Sequence, residues 1–183
     1  PGFDEQTWYE VDKINIITPD DLLDSGIVYN DTFRFEGYQI FQMVNSDASV
    51  SDLDDIEKAR LVAQCDVQNG VAKLVNYTYD EQLQITIPEV MVDGDDEGLR
   101  HSFSITEDLF ATGARQLVNH KKYYYIAVAY AYNNFKTYDP NDPDALDGQK
   151  VPYLRSRISG TGKGIEAEIG IPHDTTPESD GTQ

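Results

Sequence analysis

The longest unbroken apolar run in the chain is Tyr123–Tyr132, YYYIAVAYAY, bounded by Lys121 and Lys122 before it and Asn133 and Asn134 after it. Two alternating sets interleave along it. Tyr123, Tyr125, Ala127, Ala129 and Ala131 share one parity; Tyr124, Ile126, Val128, Tyr130 and Tyr132 share the other. Neither set is polar, which predicts a central strand covered on both faces. A buried helix would give the same unbroken run, but the tyrosines with Ile126 and Val128 favour a strand. The run is also too short to cross a bilayer as a helix, which takes about 20 residues.

The other elements are shorter. Residues 7–11 and 14–17 are β-rich, and 19–26 read as one helical turn, opened by proline and carboxylates and closed by glycine. Residues 33–44 form the second strong strand. Phe33 and Phe35 share one parity and Tyr38 and Ile40 the other, so the phase changes at Gly37 and predicts a bulge or bend. Residues 45–58 are polar and acidic, with a helix start at Ser51. Residues 59–67 and 71–79 look like two strands, and Asn69-Gly70 between them predicts a two-residue hairpin. In 83–92, Ile85 and Ile87 alternate until Pro88 interrupts the ladder, which predicts an edge strand or a long connection. Then come an acidic turn at 93–98, a short strand at 102–105, a helical turn capped by Thr106 and ended by Gly113, an acidic loop at 139–148 and a last strand at 151–158. From Ser159 onward Gly, Thr, Pro and Ser dominate, so residues 159–183 are expected to be a flexible linker or arm to a neighbouring domain. About 7–9 short strands with close turns and no long amphipathic helix make residues 1–158 an all-β domain, in the form of a sandwich with long acidic insertions.

Charge changes the picture most. Against 14 basic residues stand 33 acidic ones, a formal net charge of −19. Such a surface repels phosphate backbones and anionic lipid, so it argues against nucleic acid and membrane partners. It attracts cations, calcium included, and also serves plain solubility. A hydrophobic content of 39% allows a real core, while a mean hydropathy of −0.52 assigns much of the length to surface and loop. Cys65 is the only cysteine, so no intrachain disulfide can form, and inside VAQCDV it reads as a small buried hydrophobe. The chain begins Pro1-Gly2-Phe3 with no basic or apolar leader, which predicts a piece of a longer protein whose export signal lies elsewhere.

Two stretches carry a family resemblance. Phe35-Glu36-Gly37-Tyr38-Gln39-Ile40-Phe41 resembles the third strand of the fibronectin type III superfamily, where an aromatic follows a glycine and apolar residues alternate after it. Leu117, followed six residues later by Tyr123 and the strand ending at Asn133, resembles the turn into the sixth strand, where a leucine and a tyrosine pack at the corner between sheets. More narrowly, YYYIAVAYAYN with GYQIFQM, ARLVAQCD and DGQKVPYL is similar to a sandwich module in large exported surface proteins of Bacteroidetes, many of which leave by the type IX secretion route. The resemblance covers residues 33–158 and departs between 45 and 102, where the connection is longer than usual. It implies an immunoglobulin-like fold, an extracellular or cell-surface location, and work in adhesion, spacing or display. It supplies no catalytic residues.

The residues themselves offer little catalytic chemistry. His101, His120 and His173 lie far apart in sequence and make no zinc-binding pair on one helix, and no Gly-x-Ser-x-Gly elbow is present. Gly160 to Gly164 mimics a phosphate loop, but Arg157 stands where the first glycine belongs and Gly164 where a magnesium-binding hydroxyl belongs. Among so many carboxylates no glycosidase pair can be selected without a separation across a cleft. Asp139, Asn141, Asp142, Asp144 and Asp147 are the candidate calcium ligands, because calcium wants six to eight hard oxygens; the same residues also serve as turn formers. Asn30-Asp31-Thr32 and Asn76-Tyr77-Thr78 match the N-glycosylation triplet, which matters only in a glycosylating host. Twelve tyrosines and Trp8 permit a platform for sugar rings, against the plainer reading that the strand tyrosines fill core. The expectation is a non-enzymatic spacer or display module meeting neighbouring domains or other surface proteins. Its competitor is a carbohydrate-binding accessory module of a secreted enzyme, with polysaccharide as partner.

Overall fold

The computed structural model describes residues 9–11, 32–159 and 162–173. Expectations for residues 7–8, 14–17 and 19–26, for the Asn30 triplet and for 174–183 lie outside the described residues. The elements are β1 (Tyr9–Val11), β2 (Thr32–Met43), β3 (Ala59–Asp66), β4 (Lys73–Asp80), β5 (Ile85–Asp93), β6 (Tyr123–Tyr132), β7 (Tyr153–Arg155) and β8 (Glu168–Gly170), with short 3-10 turns at Val50–Asp52 and Pro143–Ala145. The described fold is nearly all β and antiparallel.

β2 and β6 form its centre, paired from Arg34↔Tyr132 to Met43↔Tyr124. Beyond β2 lie β1 at one end and β3 along the rest; beyond β6 lie β7 at one end and β8 at the other. The expected irregularity near Gly37 is a register shift against β6 between Phe35 and Gly37, and a second shift against β3 falls between Ile40 and Phe41. Glycine is required at position 37, because a Cβ there would collide with the Cys65 carbonyl oxygen and the Tyr130 ring.

One face of this sheet is the core. Ile126, Val128 and Tyr130 are fully buried, and Phe41, Met43, Ala48, Leu53 and Ala59 close around the first two. The β4–β5 pair is a separate two-stranded sheet. Its Leu74 and Val92 pack on Tyr130 and Tyr153. Burying each of these two side chains contributes about 1.5–3 kcal/mol. Among the described residues, Tyr123, Tyr130, Tyr138 and Tyr153 are buried, and Tyr124, Tyr125 and Tyr132 are half-buried.

Several expectations are corrected. The other face of β6 is not sealed: Ala127 is exposed and Ala129 half-buried. Among the described residues, the segment around 100–110 runs along that face, through Cys65 Sγ–H donating to the Arg100 carbonyl (3.5 Å), Tyr38 meeting His101 edge-on, and Gln42 bonded to Asp108 and Leu109. Asn69-Gly70 does turn the chain, with Gly70 at φ +88°. Yet β3 and β4 do not pair as a hairpin: β3 adds to β2 and β4 pairs with β5. The turn carries the chain from one sheet to the other so that Leu74 can be buried. Residues 102–105 form no strand, and the helical turn expected from Thr106 is only a single hydrogen-bonded turn, Ala111 N–H donating to the Asp108 carbonyl at 3.2 Å. Glu107 bridges Gln116, and Asp108 N–H donates to the Arg115 carbonyl at 2.6 Å. The helix start expected at Ser51 is a 3-10 turn beginning at Val50, with Ser49 N–H donating to Asp52 Oδ2 at 2.9 Å. Finally, the sheet does not end at residue 158. β8 pairs with the start of β6, and Ile165 and Ala167 pack against the core.

Candidate functional site

Antiparallel pairing sorts the acidic loops to two poles. β2 begins, β3 ends and β6 ends at one pole, because Gly37 faces Asp66 and Arg34 faces Tyr132. Loop 139–148 joins β6 to β7 at that pole. Loop 93–98 reaches it too, since Gly94 N–H donates to the Ala72 carbonyl beside the β3–β4 turn (2.7 Å). Loop 45–58 hangs from the opposite pole, beyond Met43.

At the first pole three carboxylates come together. The backbone irregularity at Glu36 turns its side chain inward, where it is 3% exposed. Its Oε2 accepts a bond from Asn69 Nδ2 at 2.9 Å, and its Oε1 is buried with no hydrogen-bond partner. Asp66, at the end of β3, is 2% exposed and accepts the Asp96 N–H at 3.2 Å. Glycine at 94 leaves room for it, because a Cβ there would strike the Asp66 carboxylate. The Asp96 carboxylate in turn accepts the N–H of Asn69 (2.7 Å) and of Gly70 (3.0 Å). Tyr130, lying against Gly37, donates to the Cys65 carbonyl at 3.4 Å.

The electrostatics follow from this crowding. Burial, opposed by the Asn69 bond and reinforced by the Asp66 and Asp96 charges, brings the Glu36 carboxyl up to about 7. Burial, with Asp66 and Glu36 beside it, likewise pushes the Tyr130 hydroxyl well above its usual range. Glu36 can therefore exchange a proton near neutral pH. The cluster is an electrostatic junction between β2, the 66–70 turn and loop 93–98.

The five candidate calcium ligands serve their own loop. Asp139 Oδ1 accepts the Asn141 N–H (2.8 Å), and Asp142 Oδ1 accepts the Asp144 N–H (3.0 Å), capping the 3-10 turn. Lys136 Nζ donates to the Asp144 carbonyl (2.7 Å) and to Asp147 Oδ1. The ammonium thus occupies the position a cation bound between these two residues would take. Among the described residues, no three His, Cys, Asp or Glu side chains gather as a metal-holding group. The histidines His101, His120 and His173 are exposed.

Among the described residues, clefts open on either side of the sheet. One, of about 390 Å³, lies beside Gln42, Asp108, Phe110, Lys121 and Tyr123. Burial pushes the Asp108 carboxyl up, but bonds from Lys121 (2.9 Å), Gln42 (2.8 Å) and the Phe110 N–H (3.0 Å) more than offset this and hold it below its usual range. Another, of about 480 Å³, lies between β7, the 3-10 turn at Val50 and Met91. There Arg155 bonds Asp54 (2.9 Å) and the Tyr153 hydroxyl (3.1 Å).

Sequence reasoning missed Glu36, Asp66 and Asn69 as a group. The available signal was two carboxylates interrupting otherwise apolar strands, Glu36 right at the phase change and Asp66 just after Cys65. Comparison of the chain with protein-family models, with curated proteins and with solved structures finds no match. No helix of the described residues is long and apolar enough to cross a membrane.

Proposed function

We propose that the chain is a fibronectin type III-like sandwich module of an exported, multidomain surface protein, non-catalytic, holding neighbouring domains apart and offering its acidic loops to a partner. The observation that carries this reading is the Tyr123 hydroxyl. Tyr123 is the first residue of β6 and 3% exposed, and its hydroxyl accepts the Val118 N–H at 2.9 Å. A tyrosine entering this strand and bonding back to the backbone a few residues upstream is the corner of immunoglobulin-like sandwiches. The strand order supports it: β3–β2–β6–β7 runs as the C′, C, F and G strands do in that architecture. Loops 93–98 and 139–148, bonded to their own backbone and neighbours, are preformed surfaces suited to contact.

The test pairs binding with stability. Changing Asp95, Asp139 and Asp144 to Asn should weaken attachment of the chain to a neighbouring module or cell surface while leaving its melting temperature within a few degrees of the parent. Retardation of the chain in polysaccharide gels, lost on changing the exposed Tyr79 to Ala, would transfer the assignment to a carbohydrate-binding module.

A further inference from the structure

We infer that Glu36, Asp66 and Asp96 form a proton site that latches the 66–70 turn and loop 93–98 onto β2, closing the acidic pole when a proton is held and loosening it when the proton leaves. The geometry carries this independently of any partner. Glu36 is 3% exposed, and its Oε1 has no hydrogen-bond partner, so an ionised carboxylate there keeps a charged oxygen unsatisfied. The groups acting on it are Asp66 from β3, Asp96 from the loop and the neutral Asn69 from the turn; Tyr130 faces it from β6, and no cation among the described residues offsets them. A proton on Oε1 removes the charge that burial leaves unsatisfied. Loss of that proton sets like charges against one another across a joint that otherwise depends on the Asp66–Asp96 and Asp96–Asn69–Gly70 bonds.

The sign follows from the raised value. The folded state holds the Glu36 proton up to about pH 7, whereas the unfolded chain releases it above about 4.5. The contribution of Glu36 to stability is therefore present below 4.5 and is lost as the pH rises to 7. Over that window the unfolding equilibrium constant changes by up to about 300-fold through this group alone.

The test is denaturant unfolding of the full chain from pH 5 to pH 8.5, with amide exchange at Asn69, Gly70 and Asp96 as a local readout. Relative to Glu36→Gln, the parent should lose stability across neutral pH, and its three amides should lose protection in the same range. Glu57→Gln, on an exposed residue, should follow the parent. Asp96→Asn should lower the midpoint by removing a like charge, and Asn69→Ala should raise it by removing a donor to the ionised form; these shifts remain readable should Glu36→Gln fold poorly. Parallel curves for parent and Glu36→Gln overturn the inference. So does a stabilisation by millimolar calcium at pH 8 that Glu36→Gln abolishes, because a metal ion rather than a proton would then neutralise the cluster.

Discussion

Replacing Tyr123 with Phe removes a single oxygen atom from the entry to the central strand. Its hydroxyl accepts the Val118 N–H at 2.9 Å, and the ring is 3% exposed, so Phe retains the packing. The Lys121 ammonium, 4.8 Å from the ring centre, also keeps its contact with the aromatic face. What is lost is one neutral hydrogen bond, about 0.5–1.5 kcal/mol net. The Val118 side chain is exposed, so water can reach the region and the loss belongs in that range rather than at the full penalty of a buried orphan donor. For a chain of this size about 1 kcal/mol lowers the melting temperature by about 2–4 °C. Tyr124→Phe is the matched control: it alters the next residue of the same strand, where no hydroxyl bond forms among the described residues, and it should change stability by less than about 0.5 kcal/mol. Thermal unfolding of both, with amide exchange at Val118, measures the difference. Equal effects from the two substitutions, or unchanged exchange at Val118 in Tyr123→Phe, would refute the idea that this bond ties the segment before β6 to the sheet.

Other outcomes follow from the same geometry. Gly37→Ala should destabilise by more than about 2 kcal/mol, because the added methyl meets the Cys65 backbone and the Tyr130 ring; Gly70→Ala has open space around it and should cost only the left-handed strain, about 1 kcal/mol, in urea titrations of the two. The Asp108 carboxyl is held below its ordinary value, so its contribution is present above the unfolded value and lost as the pH falls through the folded one; Asp108→Asn should flatten the acid limb of the stability curve below pH 4. Calcium should leave the melting temperature unchanged through loop 139–148, where Lys136 already holds Asp147; a calcium-dependent rise lost in Asp142→Asn with Asp144→Asn would assign the ion to that loop.

The positions of the long strands were legible because alternation is a local property of the chain. The bounds of β6 were readable from Tyr123 to Tyr132, and the irregularity near Gly37 from the change of parity at Phe35 and Tyr38. Pro88 predicted an edge strand or a long connection, and among the described residues β5 is a strand paired with β4 in a two-stranded sheet. Which strand pairs with which was not local. Asn69-Gly70 specifies a turn whatever follows it; only burial of Leu74 and Val92 against Tyr130 and Tyr153 decides that the turn leads into a second sheet. The same holds for the pole. Glu36, Asp66 and Asp96 read one by one as ordinary carboxylates in an acidic chain. Tertiary packing buries Glu36 and sets the other two against it, and a carboxylate changes its proton affinity only when its solvent and its neighbours change.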